Sequence, residues 1–285
     1  MSPQLLFIAG VGRSGTSLLQ SMFAAHPDVK WLPETSFFRR MILRQRLQRS
    51  FEKAGMEAAI ERLSSDAYFG RTGLEARRIL NMASEWNGSL DAAVYRAMLG
   101  AYIDSDCSWI CDKDPRAIEY LPVLKALYPM AHVIHIYRDP RDVLASKKRA
   151  AWSRRGHVWK HIFANRVQFQ AGCADGPQLF GARYHEIRYE DLLAHPEMVL
   201  KDLCCSLGIR YDPCMLNYGE VARSLVSDNE VDWKRETFGP LLKDNHGKWR
   251  EGLSAREVSL TEWCCSLAIK KGQYLVDNAQ SKLRW

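Results

Sequence analysis

The apolar run Leu5-Leu6-Phe7 passes without a break into Ile8-Ala-Gly-Val-Gly-Arg-Ser-Gly-Thr-Ser17. A short buried strand therefore enters a glycine-rich turn, and Leu18, Leu19 and Met22 supply the apolar stripe of an amphipathic helix beyond it. Glycines let successive backbone N–H groups point inward, and the helix N-terminus adds partial positive charge, so the turn is a cradle for an anionic oxygen cluster. Gly10 and Gly15 keep the G-x-x-x-x-G spacing of nucleoside-triphosphate loops, but Thr16 replaces the lysine that should follow, and Arg13 stands inside the turn. The anion expected here is not the triphosphate of ATP. The competing reading is a tight strand-to-helix turn that holds no ligand.

His132-Val-Ile-His-Ile-Tyr137 reads as a second short strand, followed by Arg138-Asp139-Pro140-Arg141-Asp142 and a helical stretch through Val143, Leu144, Ala145 and Ser146. Asp139 is a good N-cap and Pro140 fits the first helical turn, which leaves Arg138 at the strand's C-terminal end. In an open α/β sheet that edge is where ligands bind. The same edge then carries two anion-binding stations.

These residues resemble the sulfotransferases that use 3′-phosphoadenosine 5′-phosphosulfate (PAPS), in the branch shared by bacterial, carbohydrate and tyrosylprotein enzymes. The resemblance implies that Gly12, Arg13, Ser14, Gly15, Thr16 and Ser17 hold the 5′-phosphosulfate, and that Arg138, with Ser146 eight residues on, holds the 3′-phosphate. A donor with phosphate at both ends of its ribose needs two cradles, whereas ATP needs one. Further matches follow in the family's order: Ala25-His26-Pro27-Asp28-Val29, Pro33-Glu34-Thr35, Asp112-Lys113-Asp114-Pro115, Arg188-Tyr189-Glu190-Asp191-Leu192 with His195-Pro196, and Gly247-Lys248-Trp249-Arg250. The resemblance covers roughly residues 5–250; the stretch around 40–105 and the C-terminal tail have no counterpart.

Sulfuryl transfer to oxygen needs an activated hydroxyl, an in-line path and positive charge near the leaving phosphate. The resemblance implies Glu34 as general base, Arg13 as stabiliser of the developing charge and Lys113 as the cation on the bridging oxygen. Each has a plainer alternative: Glu34 as neighbour of a helix N-cap near Thr35, and Lys113 as a structural partner of Asp112 or Asp114. Tyr189 is either a donor contact or a core aromatic. Lys243 and Lys248 lie in a Gly-containing segment that closes over the nucleotide in the family, or are solvated loop lysines. His26 reads as a helix-end dipole partner.

Short apolar segments at Leu5–Ala9, Val29–Leu32, Trp109–Asp112, Val133–Tyr137 and His185–Tyr189 alternate with helical periodicity near 16–26, 36–53, 73–86, 89–104, 116–128, 140–150, 157–171, 196–207 and 255–271. The expected fold is α/β: a single P-loop-like domain over residues 1–285, with a mostly parallel sheet flanked by helices and a helical insertion at about 36–105. The insertion is a candidate wall of the acceptor pocket, though distant in sequence from the donor motifs. No apolar stretch approaches 20 residues and no charged segment precedes Leu5, so neither a membrane span nor a signal peptide is read. Eight cysteines without C-x-x-C spacing point to reduced, packing thiols in a cytoplasmic protein, and no metal is expected. Oligomeric state is not legible.

The net charge of +7 is concentrated between 147 and 161, where Lys147, Lys148, Arg149, Arg154, Arg155, Lys160 and His161 are interleaved with Trp152 and Trp159. This is either a solvated helix face or part of an acceptor surface. An anionic or saccharide acceptor is favoured over nucleic acid, because the run adjoins the 3′-phosphate motif. Three classes compete: a PAPS-dependent sulfotransferase acting on a saccharide or other polar hydroxyl, or on protein tyrosine; a small-molecule or nucleotide kinase, disfavoured by the missing loop lysine; and a non-catalytic nucleotide- or nucleic-acid-binding module.

Overall fold

A computed structural model describes residues 4–83, 88–102, 107–150, 157–225 and 238–275. The five expected strands are present as β1 (Gln4–Gly10), β2 (Val29–Trp31), β3 (Trp109–Lys113), β4 (His132–Tyr137) and β5 (Tyr184–Arg188). They form one all-parallel sheet in the order β2-β3-β1-β4-β5. β1 is central because its apolar residues are buried on both sides: Leu6 and Ile8 join Cys111, Ile134 and Ile136 in one core, while Phe7 and Ala9 join Ile110 and Val133 in the other.

On the first face lie α1 (Thr16–Ala24) and, after the sheet, α10 (Tyr189–Ala194), α11 (Pro196–Leu207) and α12 (Gly219–Leu225). The insertion supplies α2 (Phe37–Arg40), α3 (Arg46–Ser64), α4 (Ala67–Gly70), α5 (Ala76–Ala83) and α6 (Leu90–Ala101). Its Phe37, Leu47, Ile79, Val94 and Met98 share the second core with Phe7 and Ile110, so it is part of the main fold. A 3-10 segment, Pro115–Tyr120, leads into α7 (Leu121–Leu127), and α8 (Pro140–Arg149) and α9 (Val158–Phe180) follow β4. The C-terminal part contains α13 (Trp249–Gly252), α14 (Ala255–Cys264) and α15 (Ser266–Lys271).

Several boundaries differ from the sequence reading. The helix expected at 36–53 is broken, because the buried Asp91 carboxylate accepts the N–H groups of Leu47 and Gln48, both at 3.0 Å, and so caps a new N-terminus for α3. The helix expected at 157–171 continues to Phe180 through Gly172, Gly176 and Pro177. A Cβ at Gly172 would lie 2.6 Å from His135 Cε1, and one at Gly176 would lie 2.0 Å from Tyr184 Cζ. These glycines mark close helix–sheet contact rather than a helix end. β5 stops at Arg188, so that Tyr189 opens α10 instead of ending the strand.

Candidate active site

The turn after β1 is built as its glycines require. At Gly10 a Cβ would stand 2.3 Å from the Ile136 carbonyl oxygen; at Gly15, whose φ is 98°, it would stand 2.3 Å from Tyr189 Cδ2. Gly15 forms the N-cap of α1, and Thr16 begins the helix. Gly12 faces open space. Arg13 holds a left-handed φ of 81°, a strained conformation for a non-glycine residue, and its Nε donates to Ser146 Oγ at 3.0 Å. The two anion stations are thus bonded to each other across 133 residues of chain.

Asp139 caps α8 by accepting the Arg141 N–H at 2.9 Å, with Pro140 in the first turn as the sequence predicts. Arg138 is buried at 7% exposure; it donates to the carbonyl oxygens of Asn245 at 2.6 Å and Arg13 at 3.4 Å, and lies 4.4 Å over the Tyr189 ring. Asn245 Nδ2 donates to Tyr189 Oη at 3.0 Å. Asp142 accepts the N–H groups of Gly247 (2.7 Å) and Trp249 (3.0 Å), which ties the C-terminal segment to α8. Among the described residues Arg138 Nε and Ser14 Oγ, both buried, have no hydrogen-bond partner, and both are donors suited to anionic oxygens.

These residues line an open cleft. Its lining combines the polar Arg13, Thr16, Ser17, Arg138, Ser146, Arg149 and Asn245 with the apolar or aromatic Leu18, Tyr189, Leu193, Tyr218, Leu241 and Leu242. The combination suits a ligand that carries anionic groups and a flat ring. Asn245, Arg149, Leu193, Tyr218, Leu241 and Leu242 are the residues that motif reasoning did not assign. Only Arg149 had a signal, as a member of the basic run. Of the two lysines expected near the nucleotide, Lys243 is exposed, and Lys248 lies beside Arg149 and His246 in a separate polar depression.

Next to β1 in the sheet, β3 ends in Lys113, which is 1% exposed and forms an ion pair with Glu34 Oε2. Lys113 thus pairs with Glu34, while Asp112 and Asp114 lie within reach of its charge. Asp112 instead bonds the Tyr95 hydroxyl, and Asp114 caps the following 3-10 segment through the Arg116 N–H at 3.0 Å. Glu34 is not a helix cap; Ser36 precedes α2, and the Glu34 carbonyl accepts from Arg71 Nη1 at 3.3 Å. The insertion, remote in sequence, thus reaches the catalytic candidates through Arg71 and Tyr95. His26 Nε2 lies 2.7 Å from the Arg210 carbonyl oxygen, and its Nδ1 accepts the Asp28 N–H, which makes it a loop tie.

Burial pushes the Asp112 carboxyl up to about 7, with the neighbouring Asp114 and Glu34 charges adding to the rise and the Tyr95 bond and Lys113 opposing it. A folded-state value above the unfolded one means that the protonated carboxyl stabilises the fold at low pH, and this stabilisation is lost as pH rises towards 7. Between pH 5 and 7.5 the native protein is expected to lose on the order of 2–3 kcal/mol relative to Asp112→Asn. Urea unfolding of both proteins across that range checks the difference; parallel curves would show that Asp112 ionises normally.

The basic run divides. Lys147 is buried, Lys148 pairs with Glu257 at 2.8 Å, Arg149 lines the cleft, and Trp159 is exposed. Trp152, Arg154 and Arg155 lie outside the described residues. Remote from the cleft, His135, Cys173 and Glu186 bring ligand-type atoms within 4.8 Å of one another, and the Lys271 ammonium already binds both Glu186 oxygens.

The glycine-rich turn and the Arg138 end of β4, joined by the Arg13–Ser146 bond, lie together at the C-terminal edge of a parallel sheet, the edge at which α/β proteins bind ligands. Residues 3–213 match the sequence model of the sulfotransferase family, and the chain belongs to that family. It is 26% identical over 227 residues to protein-tyrosine sulfotransferase 1 of Danio rerio, a match spanning 76% of this chain and 56% of that protein. Protein-tyrosine sulfotransferase 2 of Gallus gallus is also 26% identical over 227 residues, spanning 54% of its own length. The chain spans about half the length of these curated relatives. The sulfotransferase domain of the Synechococcus PCC 7002 olefin synthase superposes with a TM-score of 0.68 at 20% identity, covering 96% of each chain. The sulfotransferase domain from the curacin biosynthetic pathway gives 0.65 at 21%, covering 96% of this chain and 99% of that one. The same fold is common to all three.

Proposed function

We propose that this protein transfers a sulfuryl group from PAPS to an acceptor hydroxyl, leaving 3′-phosphoadenosine 5′-phosphate. The observation that carries this reading is the Arg13–Ser146 bond, which sets a 5′-phosphate cradle directly beside a 3′-phosphate station built on Arg138. Both phosphates of one ribose would then be met in one cleft, with the base among Tyr218, Leu193 and Leu241. The ion pair with Lys113 presents Glu34 as a carboxylate, hence a proton acceptor. The acceptor oxygen attacks sulfur as Glu34 takes its proton; the bond between sulfur and the bridging oxygen breaks, and its electron pair stays on the phosphate. Arg13 and Lys113 offset the charge that gathers there. The reaction needs no oxidant or reductant.

For the acceptor we favour a saccharide or other polar hydroxyl compound, with or without an anionic group, because the basic run of the sequence adjoins the Arg138–Ser146 segment and Arg149 lines the cleft. Protein tyrosine is the second reading, supported by the curated relatives. All eight cysteines are unpaired, which supports a reducing, cytoplasmic setting, and no helix among the described residues is long and apolar enough to cross a membrane. Calorimetry tests the donor: 3′-phosphoadenosine 5′-phosphate should bind at least tenfold more tightly than ATP, without metal, since ATP leaves the Arg138 station empty (on the order of 1.4 kcal/mol or more). Equal affinities would favour the kinase reading. Labelled PAPS offered with sugars, phenols, lipids and peptides then identifies the acceptor.

A further inference from the structure

β4 and β5 pair in parallel, and their register sets His135 opposite Glu186. Over this pair passes α9 with Gly172 and Cys173. A Cβ at Gly172 would stand 2.9 Å from His135 Nδ1, so the missing side chain is what lets the helix bring the next residue's thiol down to the sheet. His135 Nδ1 lies 3.5 Å from Glu186 Oε1, and Cys173 Sγ lies 3.7 Å from the same oxygen. The imidazole is fully enclosed, and neither of its nitrogens has a hydrogen-bond partner among the described residues. Its ring neighbours are Tyr137, Phe169 and Tyr184, and the Tyr184 hydroxyl is given to the Gly172 carbonyl oxygen at 2.8 Å. A buried imidazole left without a partner is destabilising, which calls for an explanation.

We propose that His135, Cys173 and Glu186 form a Zn²⁺ site, separate from the donor cleft, that the Lys271 ammonium covers when the metal is away. In tetrahedral zinc, with bonds of about 2.0–2.1 Å to nitrogen and oxygen and about 2.3 Å to sulfur, the nitrogen–oxygen edge is about 3.4 Å and the sulfur–oxygen edge about 3.6 Å. The separations of 3.5 and 3.7 Å match those edges, and all three ligand atoms lie within 4.8 Å of one another. One nitrogen, one sulfur and one oxygen ligand suit zinc, whereas magnesium and calcium require oxygen. Lys271, in the last turn of α15, holds the Glu186 oxygens at 2.6 and 2.5 Å, so this carboxylate already faces a cation. On binding, Zn²⁺ displaces that ammonium, which moves into solvent with its charge unchanged. The Cys173 thiol releases its proton to solvent as the sulfur–zinc bond forms, and Nδ1 gives its lone pair while Nε2 keeps the ring proton. The Glu186 side chain is 23% exposed, which leaves the fourth position to water. No group is oxidised or reduced. None of the three ligands lines the donor cleft, and the site does not depend on the sulfotransfer reading.

Titration of the chelator-treated full chain with Co²⁺ tests this, because its visible bands report tetrahedral geometry and its near-ultraviolet charge-transfer band reports a thiolate ligand. Wild type should develop both sets of bands at one equivalent, and Zn²⁺ should abolish them. Cys173→Ser should lose the charge-transfer band, and both it and His135→Gln should bind Zn²⁺ about a hundredfold more weakly by calorimetry. Lys271→Gln removes the competing cation and should bind Zn²⁺ about tenfold more tightly. Cys205→Ser, at an exposed thiol, should behave as wild type. Free Zn²⁺ at a hundred times Kd should shift the wild-type unfolding equilibrium about a hundredfold in urea and leave Cys173→Ser unmoved. Should His135→Gln fail to fold, Glu186→Gln carries the same expectation at a partly exposed position. Wild type without a charge-transfer band, a band that survives Cys173→Ser, or Zn²⁺ affinity in Lys271→Gln no higher than in wild type would each overturn the proposal.

Discussion

Replacing Glu34 with glutamine is expected to lower kcat by roughly 10²–10⁴ while donor affinity stays within a few-fold of wild type. The side chain keeps its size, and its amide oxygen can still accept from the Lys113 ammonium, so the pair loses its charge and its proton acceptor but not its geometry. Lys113 is almost fully enclosed, and the loss of its counter-charge should cost some stability. For that reason kcat must be compared at a temperature where both proteins are folded. Rapid-quench turnover with labelled PAPS and calorimetric donor binding separate the two effects. Near-normal turnover would move the base elsewhere, and Asp112, already raised to about 7, would be the next group to test.

Arg138→Ala should weaken the donor by about 2–4 kcal/mol, and Ser146→Ala by about 1 kcal/mol. Both variants should bind adenosine 5′-phosphosulfate, which lacks the 3′-phosphate, almost as wild type does. The structure adds a complication. Arg138 also bonds the Asn245 and Arg13 carbonyl oxygens and lies on Tyr189, so its removal loosens the 238–252 segment as well as the phosphate station. Asn245→Ala keeps Arg138 and its bond to the residue-245 carbonyl but removes the tie to Tyr189, and thereby shows what that tie alone contributes. A loss equal for both nucleotides would show that Arg138 does not hold the 3′-phosphate.

The sheet and the turns that meet at its C-terminal edge were legible because they are local in sequence. Gly10, Gly15 and Arg13 lie within one turn, Arg138 and Ser146 within one strand end and its helix, and each strand is a short apolar run with its own boundary signals. The rest depends on pairs far apart in the chain. Nothing near Leu47 announces that Asp91 will cap it, and nothing near Gly172 announces the approach of His135. Helical periodicity alone joined segments that a distant carboxylate divides, and glycine chemistry ended a helix that those glycines allow to pack. Lys147 is the sharpest case. Its neighbours in sequence make it part of a solvated basic face, whereas α8 turns it inward and leaves it 5% exposed.

Three adjacent strands, β3, β1 and β4, carry Lys113, the glycine-rich turn and Arg138 in that order. Backbone hydrogen bonds hold neighbouring strands at about 4.8 Å, a spacing that side-chain substitution does not change. The sheet therefore works as a ruler that fixes donor and catalyst, while the insertion touches the same site without adding a strand to it. Changes among its helices can reshape what the acceptor meets and leave the ruler's divisions where they are. In a lineage of such proteins, the choice of acceptor is free to drift while the transfer chemistry stays in register.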